Sequence, residues 1–249
     1  MTLNFLIAPD FSPEHFAGWH MLNTTLQKRS GTQLHLLTPT SAAEQAAFLA
    51  QDKADIVYAN PFDAAHMVRT LGYLAFARPA KRFDEMVIAC AAESAVQKVE
   101  DLKPGCRIAV TDNKDIKLIG QRLLEPADIG PADIAWVIVE SYQAAARLAI
   151  KQEVDAAFFL AESFASLSRM TRSQIRPLVE SAIHDISHVV LAHPRMAAQL
   201  PALSAALLTL QSDAAGQAVL DALGMSDGFE AITQEDAEFM IDLMDTLLD

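Results

Sequence analysis

The chain has 249 residues, of which 51% are hydrophobic and 20% charged, and a formal net charge of -13. That length buries a sizeable core, as one large domain or as two lobes, and the composition is that of a globular chain and not a disordered one. The negative charge argues against nucleic acid or an anionic membrane surface as a partner, and no apolar run is long enough for insertion into a bilayer.

The chain passes from Met1 into a strand with no basic leader and no long apolar region before it, so the expectation is a cytosolic protein or one whose leader has been removed. The first strand is Leu3 to Ile7, followed by a turn through Pro9, Asp10, Phe11, Ser12 and Pro13 and a helix from Glu14 to Lys28. Asp10 and Ser12 follow the strand, where they either line a ligand cleft or form the turn that starts the helix. Gln33 to Thr38 is a second strand. Ser41 with Glu44 three residues on reads as the start of a helix to about Ala50. Asp55 to Tyr58 is a short buried strand ending in Ala59-Asn60-Pro61, with a helix from Asp63 to Leu71 behind it. Tyr58 fits a cleft-wall aromatic or a core ring, and Asn60 a ligand contact or an Asn-Pro turn. Tyr73 to Ala77 and Glu85 to Ala91 are further strands. Arg78, Lys81 and Arg82 lie between them, as attractors of an anionic ligand or as a solvated crossing.

The middle segment repeats the pattern. Val99 to Asp101 is a short helix, Pro104-Gly105 a turn and Ile108 to Val110 a buried strand. The strand ends in the polar cluster Thr111-Asp112-Asn113-Lys114-Asp115, and a helix follows from Ile116 to Leu124. Strand, polar turn and helix together build a ligand site in an open α/β sheet, because the new helix points free N–H groups at the strand end. Ala135 to Val139 is a strand, and Ser141 starts a helix with Ala145, Leu148 and Ala149 on its apolar face. Ala156 to Leu160, Ile175 to Val179 and Val189 to Ala192 are strands. His184, Asp185, Ser187 and His188 cluster before the last of these and either meet a ligand or hold a metal, although their spacing fits no common metal pattern. From Met196 onward the chain reads as helical: Met196 to Asp213, Gly216 to Leu223, and Gln234 to Leu247 after a capping pair, Thr233 and Asp236. Cys90 and Cys106 are too few for a disulfide scaffold, fit no zinc spacing and fall in predicted strands, so both read as buried thiols.

Strands alternating with helices predict an α/β fold with mostly parallel sheets and helices on both faces. The two successive βα sets predict two lobes with a ligand cleft between them. Residues 1–78 and 189–249 form the first lobe and 83–185 the second, with hinges near 78–83 and 185–189.

Four segments carry a family resemblance. Ala54-Asp55-Ile56-Val57-Tyr58-Ala59-Asn60-Pro61-Phe62 resembles a "D-V-A-W-x-G-P" turn, and Val99 to Val110 resembles "S-L-E-D-L-K-G-K-R-V-A-F". Glu153 to Ala157 resembles "G-x-V-D-A-G". Gly216 to Asp236, with Leu223-Gly224 and Gly228-Phe229, resembles "L-x-x-L-G-x-x-G-F-x-x-x-T-D-x-D". In this order and spacing the chain resembles the type II periplasmic-binding-protein fold, and within it the PhnD-like phosphate, phosphite and phosphonate-binding proteins of ABC transporters. The resemblance implies a two-lobed solute-binding protein, without a cofactor, that closes on a small polar or zwitterionic ligand. An ABC permease or a sensor protein would be its partner, and its location periplasmic if a leader has been removed and cytoplasmic otherwise.

It also implies where ligand residues stand and where they have changed. Family members hold the anion with Ser-Thr-Ser after the "V-A-F" strand, and the matching residues here are Asp115, Ile116 and Lys117. A carboxylate at that place disfavours a phosphonate, with Lys117 as a counter-charge to it or to an anion. Tyr142 stands after Ser141 where a histidine is expected. Glu162 falls where aminophosphonate binders place a carboxylate for the ligand amine. Asp185 belongs to the polar cluster before the return strand. With no nucleophile elbow, Walker loop, GxGxxG or HExxH in the chain, two alternatives stand beside the solute-binding protein. One is a cytosolic enzyme on the same fold, similar to the menaquinone-pathway enzymes, on which Asp10, Tyr142 and Glu162 would converge. The other is a ligand-sensing subunit of a signalling system.

Overall fold

A computed structural model describes residues 2–9, 11 and 13–248, with the side chains of Lys114 and Leu248 left out. The first unit starts with β1 (Leu3–Ile7), α1 (Phe16–Ser30), β2 (Leu34–Leu37), α2 (Ala42–Ala50), β3 (Ile56–Ala59), α3 (Pro61–Leu71) and β4 (Leu74–Pro79). The second unit carries β5 (Met86–Ala91), β6 (Arg107–Val110), α4 (Lys114–Leu123), β7 (Ala135–Ile138), α5 (Tyr142–Ile150), β8 (Ala156–Leu160), α6 (Ala161–Ser166), α7 (Arg169–Arg172) and β9 (Ile175–Glu180). The chain then returns to the first unit with β10 (Val189–Ala192), α8 (Leu200–Leu208), α9 (Ala214–Ala222), β11 (Phe229–Ala231) and α10 (Gln234–Leu248). The units comprise Met1–Phe83 with Ser187–Met244, and Asp84–Ile186 with Asp245–Asp249.

Each sheet has a parallel part and an antiparallel part. In the first, of order β11-β4-β10-β3-β1-β2, β1 pairs in parallel with β2 and β3, the products of successive βα connections. β10, β4 and β11 extend it antiparallel. In the second, of order β7-β6-β8-β5-β9, β6 pairs in parallel with β7 and β8, and β5 joins β8 and β9 antiparallel. The parallel pairs are formed by strands that successive helices carry back over the sheet, β1, β2 and β3 in the first and β6, β7 and β8 in the second. The strands entered directly from the other unit run the opposite way.

Period-two alternation sends neighbouring residues of a strand to opposite faces. Phe5, Ile7, Ile56, Tyr58 and Val190 face α1, α8 and α9 and pack with Trp19, Leu22, Leu207 and Leu220. Leu6, Val57, Ala59 and Leu191 face α3 and α10 and pack with Met67, Val68, Met240 and Ile241. In the second unit Val87, Ala109, Ala157 and Phe159 pack under Ala145, Ala146 and Ala149 of α5. Each large side chain fully withdrawn from water contributes about 1.5–3 kcal/mol. β3, β5 and β10 are buried along their whole length, as strands covered on both faces must be.

Asp55 ties the entry of β3 to its neighbours. Its carboxylate accepts the Asn4 N–H at 2.7 Å and pairs with Arg195 Nε at 2.6 Å, while Arg195 also donates to the Ala54 carbonyl. Tyr73 donates to that same carbonyl at 2.7 Å, and burial pushes its phenol up to about 12.

Several boundaries differ from those the sequence predicts. The reading of everything after Met196 as helical is corrected, because Phe229–Ala231 forms β11, paired with β4 at Pro79. A three-residue strand entered through Gly228, at φ 79°, is too short to show alternation. The helix expected from Met196 starts at Leu200, with Pro201 in its first turn, where proline's missing N–H has no intrahelical partner to lose. The helix placed at Ile116 starts at Lys114, because Asn113 caps it. Residues 161–172, which the sequence left unassigned, form α6 and α7. The three caps read from the sequence hold: Ser41 accepts the Glu44 N–H, Ser141 accepts the Ala144 N–H, and Thr233 and Asp236 bond each other reciprocally. Cys90 and Cys106 are free and buried, and burial pushes the Cys106 thiol up.

Gly120 fixes how closely α4 approaches the second sheet. A Cβ there would stand 2.2 Å from the ring of Phe158, which is fully buried in β8. Gly120→Ala should therefore lower stability by about 1–3 kcal/mol through overpacking. This is expected even though alanine favours a helix interior by about 1 kcal/mol. Urea unfolding measures the sign, and a variant more stable than the parent would contradict the tight approach.

Candidate functional site

In the second unit β6 and β8 run parallel and end on the same side of the sheet. β6 gives way to Thr111-Asp112, and Asn113 then caps α4, its side-chain oxygen accepting the Ile116 N–H at 3.0 Å. The first turn of a helix carries N–H groups with no intrahelical partner and a partial positive charge. Into that turn the sequence puts Asp115, 2% exposed, and Ile116, fully buried. The Thr111 hydroxyl is buried and has no hydrogen-bond partner among the described residues.

Lys117 is not placed as a counter-charge to Asp115. Residues two apart on a helix face different ways, and the Lys117 ammonium lies 4.5 Å from the centre of the Trp136 ring in β7. Ser141 caps α5, accepting the Ala144 N–H at 3.1 Å. Tyr142, the first residue of that helix, is half-buried with its ring 6.2 Å from that of Phe159. Glu162 lies two residues beyond the end of β8, exposed in the first turn of α6. Asp185 is exposed in the segment between β9 and β10. Beside it Glu85 accepts the Ser181 hydroxyl and the His184 N–H, the latter at 2.7 Å, with His184 at a left-handed φ of 59°. The strand-end turns of the second unit thus carry Asp115, Ser141, Tyr142 and Glu162, while Lys117 is turned to Trp136.

The first unit places the remaining candidates. Tyr58 is 4% exposed in β3, with the Trp19 ring 4.7 Å away and the His188 ring stacked on it at 4.9 Å. Asn60 caps α3, its side-chain oxygen accepting the Asp63 N–H at 2.8 Å while its amide donates to the Asp63 carboxylate. Arg78 pairs with Glu230 at 2.6 Å and Lys81 with Asp227 at 2.8 Å, and Arg82 donates to the Gly224 carbonyl. These three cations are engaged by carboxylates and a carbonyl of their own unit. Asp10 and Ser12 lie outside the described residues. The apolar cavity under Phe5 and Trp19 has about 10 Å³, room for no more than one water, and is not a solute site. Among the described residues no group of three His, Cys, Asp or Glu is arranged to hold a metal ion.

The sequence reading passed over Asn113 and Thr111 as individual residues, although both stood in the cluster it marked. An Asn three residues before the first buried helical residue is a cap signal that sequence alone supplies. The Tyr58–His188 stack joins residues 130 positions apart, so nothing local announces it.

A family model described as the periplasmic substrate-binding protein of phosphonate ABC transporters matches residues 5–237. No curated protein matches the chain in sequence. Among solved structures, PhnD1 from Prochlorococcus marinus in complex with methylphosphonate is similar with a TM-score of 0.81 at 13% identity, over 99% of this chain and 98% of that one. A Xanthomonas citri protein bound to ATP gives 0.78 at 15%, over 100% and 98%. The periplasmic aliphatic sulphonate binding protein SsuA from Escherichia coli gives 0.69 at 16%, over 99% and 86%. At these identities the likeness is one of fold, that of the periplasmic binding proteins. The family is periplasmic and its members are transporter components without catalytic activity, so the enzyme alternative finds no support. No helix among the described residues is long and apolar enough to cross a membrane. Matched over nearly its whole length, this chain belongs to the periplasmic substrate-binding protein family of phosphonate ABC transporters.

Proposed function

We propose that this member of the family takes a small zwitterionic or cationic solute and delivers it to an ABC permease in the periplasm, and that a simple phosphonate or phosphate is not its ligand. One observation carries the reading: the buried carboxylate of Asp115 in the first turn of α4, where the resemblance puts anion-holding hydroxyls. A bare phosphonate brought there meets a like charge at short range in a place with little water to screen it. Glu162, at the neighbouring strand end, adds a second carboxylate. The Thr111 hydroxyl and the positive end of the α4 dipole still favour a polar or negative group, which suits a ligand with both kinds of charge. Tyr142 and Ser141 bound the same side of the sheet. Capture needs no chemistry, since a solute shifts the conformers of its binding protein by its differential affinity for them.

Calorimetry distinguishes the ligand classes. Phosphate and methylphosphonate should bind weakly or not at all, and an aminoalkylphosphonate or other ammonium-bearing solute should bind more tightly than its amine-free analogue. Micromolar or tighter binding of methylphosphonate would reject the reading.

Glu162→Gln keeps the shape of the side chain and removes its charge. For a cationic or zwitterionic ligand the affinity should fall by about 2–5 kcal/mol, the cost of removing one partner of a desolvated charge pair, with the unfolding transition unchanged. Equal affinity of parent and variant would assign Glu162 to the helix start alone, where a carboxylate contributes roughly 0.3–1 kcal/mol to the fold.

A further inference from the structure

β7 is the last strand of the second sheet. β6 pairs it in parallel on one side, and among the described residues no strand pairs it on the other. Its residues, Ala135-Trp136-Val137-Ile138, are uncharged, and so is Val139 after them, in a chain whose net charge is -13. Ile138 is 62% exposed and Trp136 half-buried. Edge strands are commonly kept from pairing with another chain by a proline, a charge or extreme shortness. The opposite edge of this sheet, β9, has Pro177, and β11 at one edge of the first sheet has three residues. β7 carries neither proline nor charge. The direction of its backbone groups follows from the ladder. The Ala135 N–H donates to the Cys106 carbonyl and the Val139 N–H to the Val110 carbonyl, both at 2.9 Å. Alternate residues of a strand point the same way, so Val137 also turns to β6, and the N–H and C=O groups of Trp136 and Ile138 point out of the sheet edge. The side chains alternate as well. Val137 and Val139 pack on the side of α5. Trp136, its ring 5.6 Å from that of Phe158 and 4.5 Å from the Lys117 ammonium, shares the other face with Ile138 and Glu140.

We propose that β7 is a self-association edge, through which a second copy of this chain adds its own β7 antiparallel, about a two-fold axis at Val137. In that register Trp136 of each copy stands opposite Ile138 of the other. Both residues turn their N–H and C=O groups outward, so each such pair exchanges both of its hydrogen bonds, and Val137 faces its counterpart as a non-hydrogen-bonded pair. The Trp136–Ile138 contacts are aromatic to β-branched, a favourable cross-strand combination, and the two-fold axis makes each of them twice. Glu140 of the second copy becomes the diagonal neighbour of Trp136 on the face where the Lys117 ammonium lies, so opposite charges meet at the rim. A slip by one residue sets outward backbone groups against inward ones, so the register is specified. The uncharged strand also lets two chains of the same net sign approach without a like charge at the contact. The strands are short, which puts this dimer in the small, transient class of interfaces.

Sedimentation equilibrium of the intact chain, with no ligand added, should show a monomer–dimer equilibrium with a Kd on the order of 100 μM. Ile138→Lys puts a charge on the edge at an exposed position and should weaken the association by about tenfold or more, with the unfolding transition unchanged. Val137→Cys reads the register. Its two copies would stand about 4.5 Å apart at Cα, within reach of a disulfide, and should cross-link on mild oxidation. Ala135→Cys faces Val139 of the second copy in the same register and should not cross-link. Cys90 and Cys106 are buried, and the parent chain measures their background. A parent that stays monomeric up to about 1 mM, ten times that Kd, overturns the proposal. So does a dimer that Ile138→Lys leaves intact, or a Val137→Cys variant that cross-links no better than Ala135→Cys.

Discussion

Burial of the central strands on both faces decides where this protein can place polar chemistry. β3, β5 and β10 consist only of buried residues, and most of β6 and β8 is equally enclosed. A strand of this kind has no face to offer a solute. Its chemistry is confined to the turn where the sheet stops and a helix starts, and the helix that covers the sheet supplies unpaired N–H groups at that point. Most of the candidate residues are therefore caps and first-turn residues: Asn60 before α3, Asn113 and Asp115 at α4, Ser141 and Tyr142 at α5, and Glu162 at α6.

The N-terminus of α4 favours negative charge whatever the side chains are. With hydroxyls in the first turn that preference is open to a ligand anion. With the Asp115 carboxylate buried in the turn, part of it is already met from within the chain. The family fold is kept, and on the proposed reading the charge a ligand should bring is altered. Close packing holds α4 in place, since it can sit only where Gly120 lets it approach Phe158.

Much of this was legible in the sequence, for identifiable physical reasons. Buried strands such as Ile56–Ala59 and Met86–Ala91 announce themselves as short apolar runs, and the caps at Ser41, Ser141 and Thr233 carry their signal in adjacent residues. What stayed hidden depends on contacts distant in the chain. β11 exists because Phe229 meets Pro79, and the Tyr58–His188 stack because β10 returns beside β3. Lys117 read as a counter-charge to Asp115 or to an anion because sequence spacing does not show which helix face a residue occupies; its ammonium lies 4.5 Å from the centre of the Trp136 ring on β7. Arg78 and Lys81 likewise read as open cations until Glu230 and Asp227, about 150 residues on, are brought to them.

The central claim is that the solute carries positive charge to the strand-end turns of the second unit. Native mass spectrometry of the protein purified without denaturation, followed by release and identification of the small molecule it retains, tests this most directly. The account predicts a molecule with an ammonium or other cationic group. Retention of inorganic phosphate or of a phosphonate without an amine would contradict it.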